Sequence, residues 1–475
     1  MVPFRHAVRI LALASVALGA VVVSALPVSA GVPAPKISNA SATQVLTQGA
    51  PSTLSATLAY TSSCQITVSP AALLGTGTLP CSGTLTRGIW FPYNDTNASI
   101  AYTVTLSASG SGGSKSVTRT VTVKKGAGGA PSQMVAGGWV NGGVSCAVDS
   151  GAGLRCWGML KGTASINGLA GVTQVDAGSG SGSYGFDCVL LSTGKVSCFG
   201  TNAQGQLGDG TQNSSATPVT VSGISTAKQI SVGLHHACAL LKLGTVKCWG
   251  SGPLGDNTWG NSTVPVTVTG LNDAVALSAG ASFTCAVRSG GSVVCWGQGV
   301  FGELGDNNLT SGNFALTPVT VPGVTGAVGV AAGRHEACAV LSTGKVACWG
   351  SDPYLNPNAN QWPTNANPAE VSNISAAVIV TLGYDHGCVL QGDGTLRCWG
   401  ENSSGQVGDG TYFNRATPVA VPSLSGVVDV DAGEFHTCAR LDTGAYRCWG
   451  DQRFGQLGNS VFTGASATPV TVTGM

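Results

Sequence analysis

Cysteine and histidine are the two residue types here whose spacing could do chemistry. Seven cysteine pairs share one separation of ten positions: Cys146 and Cys156, Cys188 and Cys198, Cys238 and Cys248, Cys285 and Cys295, Cys338 and Cys348, Cys388 and Cys398, Cys438 and Cys448. Cys64 and Cys81 lie upstream of them. Paired thiols serve metal sites, redox motifs and disulfides. A zinc site needs four ligands converging on one point, whereas each of these units delivers two. A Cys-x9-Cys pair also lacks the helix N-terminus that activates a Cys-x-x-Cys thiolate. Disulfides are therefore expected. His236, His386 and His436 recur two places before the first cysteine of their units, Glu336 stands there in another, and His235 and His335 lie alongside. If the units close into a ring, such positions converge toward one end, and a metal-dependent or acid-base enzyme at the mouth is the catalytic reading.

Other catalytic signatures are missing. Asp209, Asp306 and Asp409 are each followed by Gly or Asn without a D-x-D-x-D-G spacing. They read as turn-capping carboxylates rather than calcium ligands. No G-x-S-x-G, H-E-x-x-H or Walker element occurs, and no cofactor is implied.

Strands must position these residues. In the unit at 338–348, Cys338-Ala-Val-Leu341 and Lys345-Val-Ala-Cys348 flank Ser342-Thr343-Gly344, a three-residue hairpin loop with Gly at the left-handed position. Pairing Leu341 with Lys345 sets Val340 opposite Val346, Ala339 opposite Ala347 and Cys338 opposite Cys348. Cross-strand neighbours of that kind need only modest closure to form a disulfide. The pleat puts Cys338, Val340, Val346 and Cys348 on one face and Ala339, Leu341, Ala347 and Trp349 on the other. Both faces are apolar, so both must be covered by neighbouring sheets. The aromatic after each second cysteine (Trp157, Phe199, Trp249, Trp296, Trp349, Trp399, Trp449) is expected to fill the space between blades.

Successive first cysteines are 42, 50, 47, 53, 50 and 50 residues apart, the period of a propeller blade. A β-like run ending near Ala-Gly precedes each hairpin, as at 327–333 and 427–433, and before that run stands a Thr-Pro-Val strand, beginning at Thr217, Thr317, Thr417 and Thr468. Proline there suits an outer strand. Four strands in each of seven units predict a seven-bladed β-propeller over 133–475. The first unit starts at 133–138 without a Thr-Pro-Val strand of its own, so the C-terminal strand 467–474 is expected to complete the first blade and close the ring.

At this point the chain resembles the regulator-of-chromosome-condensation repeat propellers over about 130–475. The resemblance rests on the G-x-x-H-x-x-A-[LV]-x-x-x-G-x-[VL]-x-x-W-G core and on G-Q-L-G-D-G-T, seen as Gly205-Gln-Leu-Gly-Asp-Gly-Thr211, GELGDN at 302–307, GQVGDGT at 405–411 and GQLGN at 455–459. That element is curtailed to Leu254-Gly-Asp-Asn257 in one unit and absent after Trp157 and Trp349. In this family the histidine belongs to the motif, which implies a structural role, hydrogen-bonding neighbouring loop backbone. The eponymous member is a nuclear exchange factor for a small GTPase and binds chromatin; similar secreted bacterial propellers inhibit β-lactamase by seizing it with blade loops. The cysteine pair in every blade departs from the eukaryotic pattern and suits an exported version.

The remaining segments fit export. Residues 1–30 read as a signal peptide: Arg5 and Arg9, an uncharged run from Ile10 to Leu26, then Val28-Ser29-Ala30 before Gly31. An uncleaved anchor is the alternative. Residues 36–125 alternate in the manner of a small immunoglobulin-like β-sandwich, with Cys64 and Cys81 as its staple, and 126–132 is a flexible linker. The expected fold is thus all-β throughout. With 70 Gly, 9% charged residues and a formal charge of +1, there is no electrostatic case for nucleic acid or an anionic membrane. The expected protein is a secreted, non-enzymatic monomer with no membrane span after signal removal. Its propeller loops would engage a protein or a cell-surface glycan, and exchange-factor activity inherited from the repeat family is a further alternative. The most irregular insertions supply the expected contacts: Tyr354, Trp362, Phe314, Tyr412, Phe413 and Arg415.

Overall fold

The computed structural model divides into two compact units between Gly128 and Gly129. It describes the N-terminal strands given next and, in the second unit, residues 134–137, 144–148, 153–158, 161–166, 168–178, 185–308, 312–350 and 367–473. The N-terminal unit contains β1 (Lys36–Ala42), β2 (Val45–Leu46), β3 (Pro51–Ala59), β4 (Ser63–Ser69), β5 (Leu73–Leu74), β6 (Gly83–Trp90), β7 (Ile100–Gly110) and β8 (Gly113–Val123). They make two four-stranded sheets, ordered β1-β3-β6-β5 and β2-β8-β7-β4. On β7 the alternation buries Leu106 and Ala108, while Ser107 turns away and hydrogen-bonds Ser116 across the strand pair at 2.9 Å. Cys64 lies on β4; Cys81 and the expected signal peptide lie outside the described residues.

The second unit is a seven-bladed propeller of four-stranded antiparallel sheets. In the third blade the strands run outward as Ala227–Val232, His236–Leu241, Val246–Gly250 and Ser262–Thr267. The hairpin register is the one the turn glycine dictates. In the fifth blade Val340 pairs with Val346, Ala339 with Ala347 and Cys338 with Cys348. All seven pairs are disulfides, with Cα atoms 4.0–4.1 Å apart. Each closes a short loop, so its entropic contribution is at most roughly 2–3 kcal/mol.

Both faces of the hairpin are buried, and the pleat assigns them to different neighbours. The disulfide of one blade packs toward the aromatic of the next: Cys238 and Cys248 share a core with Trp296, Cys388 and Cys398 with Trp449, and Cys438 and Cys448 with Trp157. Aromatic ring and disulfide together fill these layers, with Phe199 against Cys146 in place of an indole.

One expectation is corrected. The strand 467–474 does not complete the first blade; Ala465–Thr471 pairs with Tyr446–Asp451 as the outer strand of the seventh. The first blade is finished by its own Lys161–Ile166, which pairs with Leu154–Gly158. Every Thr-Pro-Val strand follows its hairpin rather than preceding it, as Val219 opposite Cys198 shows, so each blade is a continuous stretch of chain. The ring closes where the inner strands Val427–Ala432 and Met134–Gly137 pack together. There the Ala136 amide donates to Asp431 Oδ2 at 2.9 Å.

Candidate functional site

Antiparallel order places two kinds of connection on one face of the ring: the turn from first to second strand, and the loop from third to outer strand. His335 of the former kind meets Glu303 of the latter at 3.2 Å. The remaining turns and connections lie on the opposite face.

The loops of this first face are built around a buried amide. Asn202 Oδ1 accepts the Leu207 amide at 2.9 Å, while its Nδ2 donates to the carbonyls of Thr211 and Asn213 at 3.0 and 3.1 Å. Asn402 repeats the arrangement with Val407, Thr411 and Phe413. Asp209 and Asp409 each accept the amide two residues on, at 3.0 Å, and Asp306 does so at 3.1 Å, as expected of turn caps. The finished loop then grips the next blade: Trp249 Nε1 donates to the Gln206 carbonyl, Trp349 to Glu303, Trp449 to Gln406 and Trp157 to Gln456, each at 2.9 Å. Gly408, at φ +77°, sits directly on the Trp449 indole, where a side chain would collide with the ring. The third blade's loop is shortened, and Trp296 Nε1 is buried without a partner among the described residues.

The recurring histidines are separate links rather than one site. His236 Nε2 lies 2.8 Å from Thr284 Oγ1, His386 Nε2 2.8 Å from Thr437 Oγ1 and His436 Nε2 2.8 Å from Ser145 Oγ. Their partners are hydroxyls of the following blade, not local backbone as expected. Thr437 and Ser145 give their own protons to the Gln406 and Gln456 carbonyls, so His386 and His436 donate through Nε2–H. Burial drives His386 down to about 3 and His436 to about 4, which keeps both rings neutral. Gly383 leaves room for the His386 ring and for the Gly433 carbonyl of the next blade. Phe186 and Phe283 fill the equivalent volume in two other blades, and Glu336 in a third. Among the described residues no three His, Cys, Asp or Glu side chains are grouped to hold a metal ion.

What does converge at the axial mouth is the pair of residues between each turn glycine and the histidine position. A pocket there is lined by Gly280, Gly333, Gly383 and Gly433 together with Arg334, Tyr384 and Glu434. The Arg334 guanidinium lies 4.0 Å over the Tyr384 ring, and Tyr384 is 5.7 Å from Phe435. Beside them Phe301 packs on His335 at 4.3 Å. Burial lifts the Asp385 carboxyl to about 6; Glu401 pushes the same way and Arg334 and His335 oppose it.

Farther out stand the aromatics. Trp259 is 62% exposed and meets Phe314, 40% exposed, edge to face at 4.8 Å. Tyr412 and Phe413 are 51% and 75% exposed in the sixth blade's loop. Phe314, Tyr412 and Phe413 thus share the loop face. Arg415 is also there, but it is tied inward to Asp409 at 2.6 Å and to Thr411 at 3.1 Å, so it braces the loop that carries Phe413. Tyr354 and Trp362 lie outside the described residues. Sequence reasoning missed Trp259, Arg334, Tyr384 and Phe435. For the last three the signal was present, since each follows its turn glycine by one or two places.

This geometry, an inter-blade indole held by a G-Q-L-G loop and a motif histidine, agrees with the comparisons. The regulator of chromosome condensation (RCC1) repeat matches at 193–240 and 393–440, and a second form of that repeat at 227–255, 274–303, 377–406 and 427–456. The chain therefore carries RCC1 repeats on a seven-bladed propeller. Among solved structures it is similar to yeast RCC1 (Prp20) bound to Kap60, with TM-score 0.55 and 20% identity over 62% of this chain and 74% of that one. A Saccharomyces cerevisiae Prp20p structure, described with its binding properties to Gsp1p and histones, gives 0.54 and 21% over 62% and 76%. Human WBSCR16 gives 0.56 and 22% over 66% and 84%. No curated protein matches the sequence.

Proposed function

We propose that this is an exported, non-enzymatic binding protein whose loop face engages another protein. The carrying observation is the set of exposed aromatics on that face, Trp259, Phe314, Tyr412 and Phe413, with Trp259 and Phe314 packed edge to face and Phe413 anchored through its carbonyl to the buried Asn402 amide. Rigid aromatic side chains lose little entropy on contact and dominate the energetics of protein interfaces. The mouth cluster of Arg334, Tyr384 and Phe435 supplies the polar and stacking groups at its centre. That yeast Prp20 is described with Kap60, Gsp1p and histones supports a protein as the class of partner.

Export is supported by the seven disulfides, which persist in oxidising compartments, and by the uncharged run near the N-terminus. The N-terminal unit is proposed to be an immunoglobulin-like module: its sheet orders match the A-B-E-D and G-F-C arrangement, with a short parallel strand added beside the last. The test is capture of partners from the organism's own extracellular fraction by wild-type protein and by a Trp259→Ser/Phe413→Ser variant. Loss of a specific partner with an unchanged melting profile is expected. Equal capture by both would reject the loop face as the binding surface.

A further inference from the structure

Lysines that are far apart in sequence gather on the face opposite the loops. In the second and third blades the segments 191–195, 221–228 and 241–247 reach this side and carry Lys195, Lys228, Lys242 and Lys247; the carboxylate next to them, Asp273 of the connection packed on Gly244, is taken up by Arg288. The fold brings them side by side. The Ala227 amide donates to the Gly194 carbonyl at 3.0 Å and the Lys242 amide to the Thr226 carbonyl at 2.9 Å, so the segment carrying Lys228 is clasped between the turns carrying Lys195 and Lys242. Lys247 stands on the adjoining strand Val246–Gly250.

None of the four has an ion pair among the described residues. Elsewhere on the same face Arg288 meets Asp273 at 2.9 Å and Lys345 meets Glu370 at 2.8 Å, while Arg397 and Arg447, at the positions equivalent to Lys247, have neutral oxygen partners. Lys228 is moreover partly desolvated, its pKa lowered by burial. At the tip of the cluster, between Lys242 and Gly244, is Leu243, the most exposed large apolar side chain described, at 90%. A leucine held in water in a patch of lysines without ion pairs among the described residues combines the two terms that bind a protein to an anionic bilayer, apolar insertion and attraction to headgroups.

We propose that this lysine-and-leucine cap, a local excess of positive charge that the near-zero net charge of the chain conceals, docks the propeller on an anionic lipid surface, leaving the loop face turned outward. The patch has neither the aromatic platforms that stack nucleobases nor the arginine forks that grip phosphate bidentately, which disfavours nucleic acid. Near a charged membrane each lysine contributes about five-fold in partitioning, so four give an attachment that is reversible and weakened by salt.

Sedimentation of the whole protein with vesicles tests this, using phosphatidylglycerol–phosphatidylcholine mixtures against pure phosphatidylcholine, from low to physiological salt. Wild type is expected to bind the anionic vesicles only, and less as salt rises. Lys195→Glu/Lys242→Glu should lose at least ten-fold and Leu243→Ser several-fold; the N-terminus is common to all, so its contribution cancels. Circular dichroism melts identical to wild type will show that the variants fold. Equal binding to both vesicle types, or a charge-reversed variant that binds like wild type, overturns the proposal. If Leu243→Ser has no effect and soluble polyphosphate strips wild type from the vesicles, the patch is a polyanion site and not a membrane one.

Discussion

His436 Nε2 stands 2.8 Å from Ser145 Oγ across 291 positions of sequence, joining the last blade to the first. The same hydroxyl donates to Gln456, whose carbonyl also receives the Trp157 indole. The ring is thus closed by the same side-chain links that join the sixth blade to the seventh, not by a shared strand.

Removing that link should weaken the seam selectively. Ser145→Ala leaves the buried His436 Nε2–H without its acceptor and is expected to cost about 1–3 kcal/mol in denaturant unfolding. His436→Ala should cost about as much, and the double variant less than the sum, because both remove one interaction. Strict additivity would show that the two residues do not act as a pair.

The indole-to-loop bond makes a paired prediction. Trp249→Phe strands the Gln206 carbonyl and should destabilise by about 1–2 kcal/mol. Trp296→Phe leaves the same smaller ring in a buried layer but removes an N–H with no partner among the described residues, so it should cost less than Trp249→Phe. Equal losses at both positions would contradict the role assigned to the loop.

How much of this was legible beforehand depended on the range of the interaction. The Cys338–Cys348 register follows from a two-residue pleat and a turn glycine, both local, and it holds. The inter-blade place of the tryptophans follows from a hairpin apolar on both faces. The phase of the outer strand was not legible, because a Thr-Pro-Val segment lies between two hairpins and could pair with either. Lys161–Ile166 lacks the Thr-Pro-Val pattern altogether, which made the first blade look incomplete. The hydroxyl partners of the histidines lie in the next repeat, so only the closed ring reveals them.

Acid should loosen the propeller through these rings. His386 and His436 titrate at about 3 and 4 in the folded state, below the ordinary 6.5. The unfolded chain therefore takes up protons first, and stability present above pH 6.5 is lost as pH falls toward those values. Between pH 7 and 5 the loss is about 2 kcal/mol per histidine. Asp385, raised to about 6, acts in the opposite sense and offsets part of it. Unfolding free energies of His386→Gln/His436→Gln should show a flatter dependence over this range; an unchanged slope would contradict the assignment.

The staples predict a thiol count. Denatured protein prepared without reductant should leave the fourteen cysteines of the seven hairpins unalkylated, and proteolytic mapping should recover each Cys-x9-Cys pair as one linked hairpin. Alkylation at several of them would show that the pairs are reduced in the native protein.

The most direct test of the central claim is a hydroxyl-radical footprint of the protein with the partner it captures, read at Trp259, Tyr412 and Phe413 on one face and Leu243 on the other. Binding through the loop face predicts that the three aromatics become protected while Leu243 keeps its reactivity. Unchanged labelling of the aromatics in a saturated complex would contradict it.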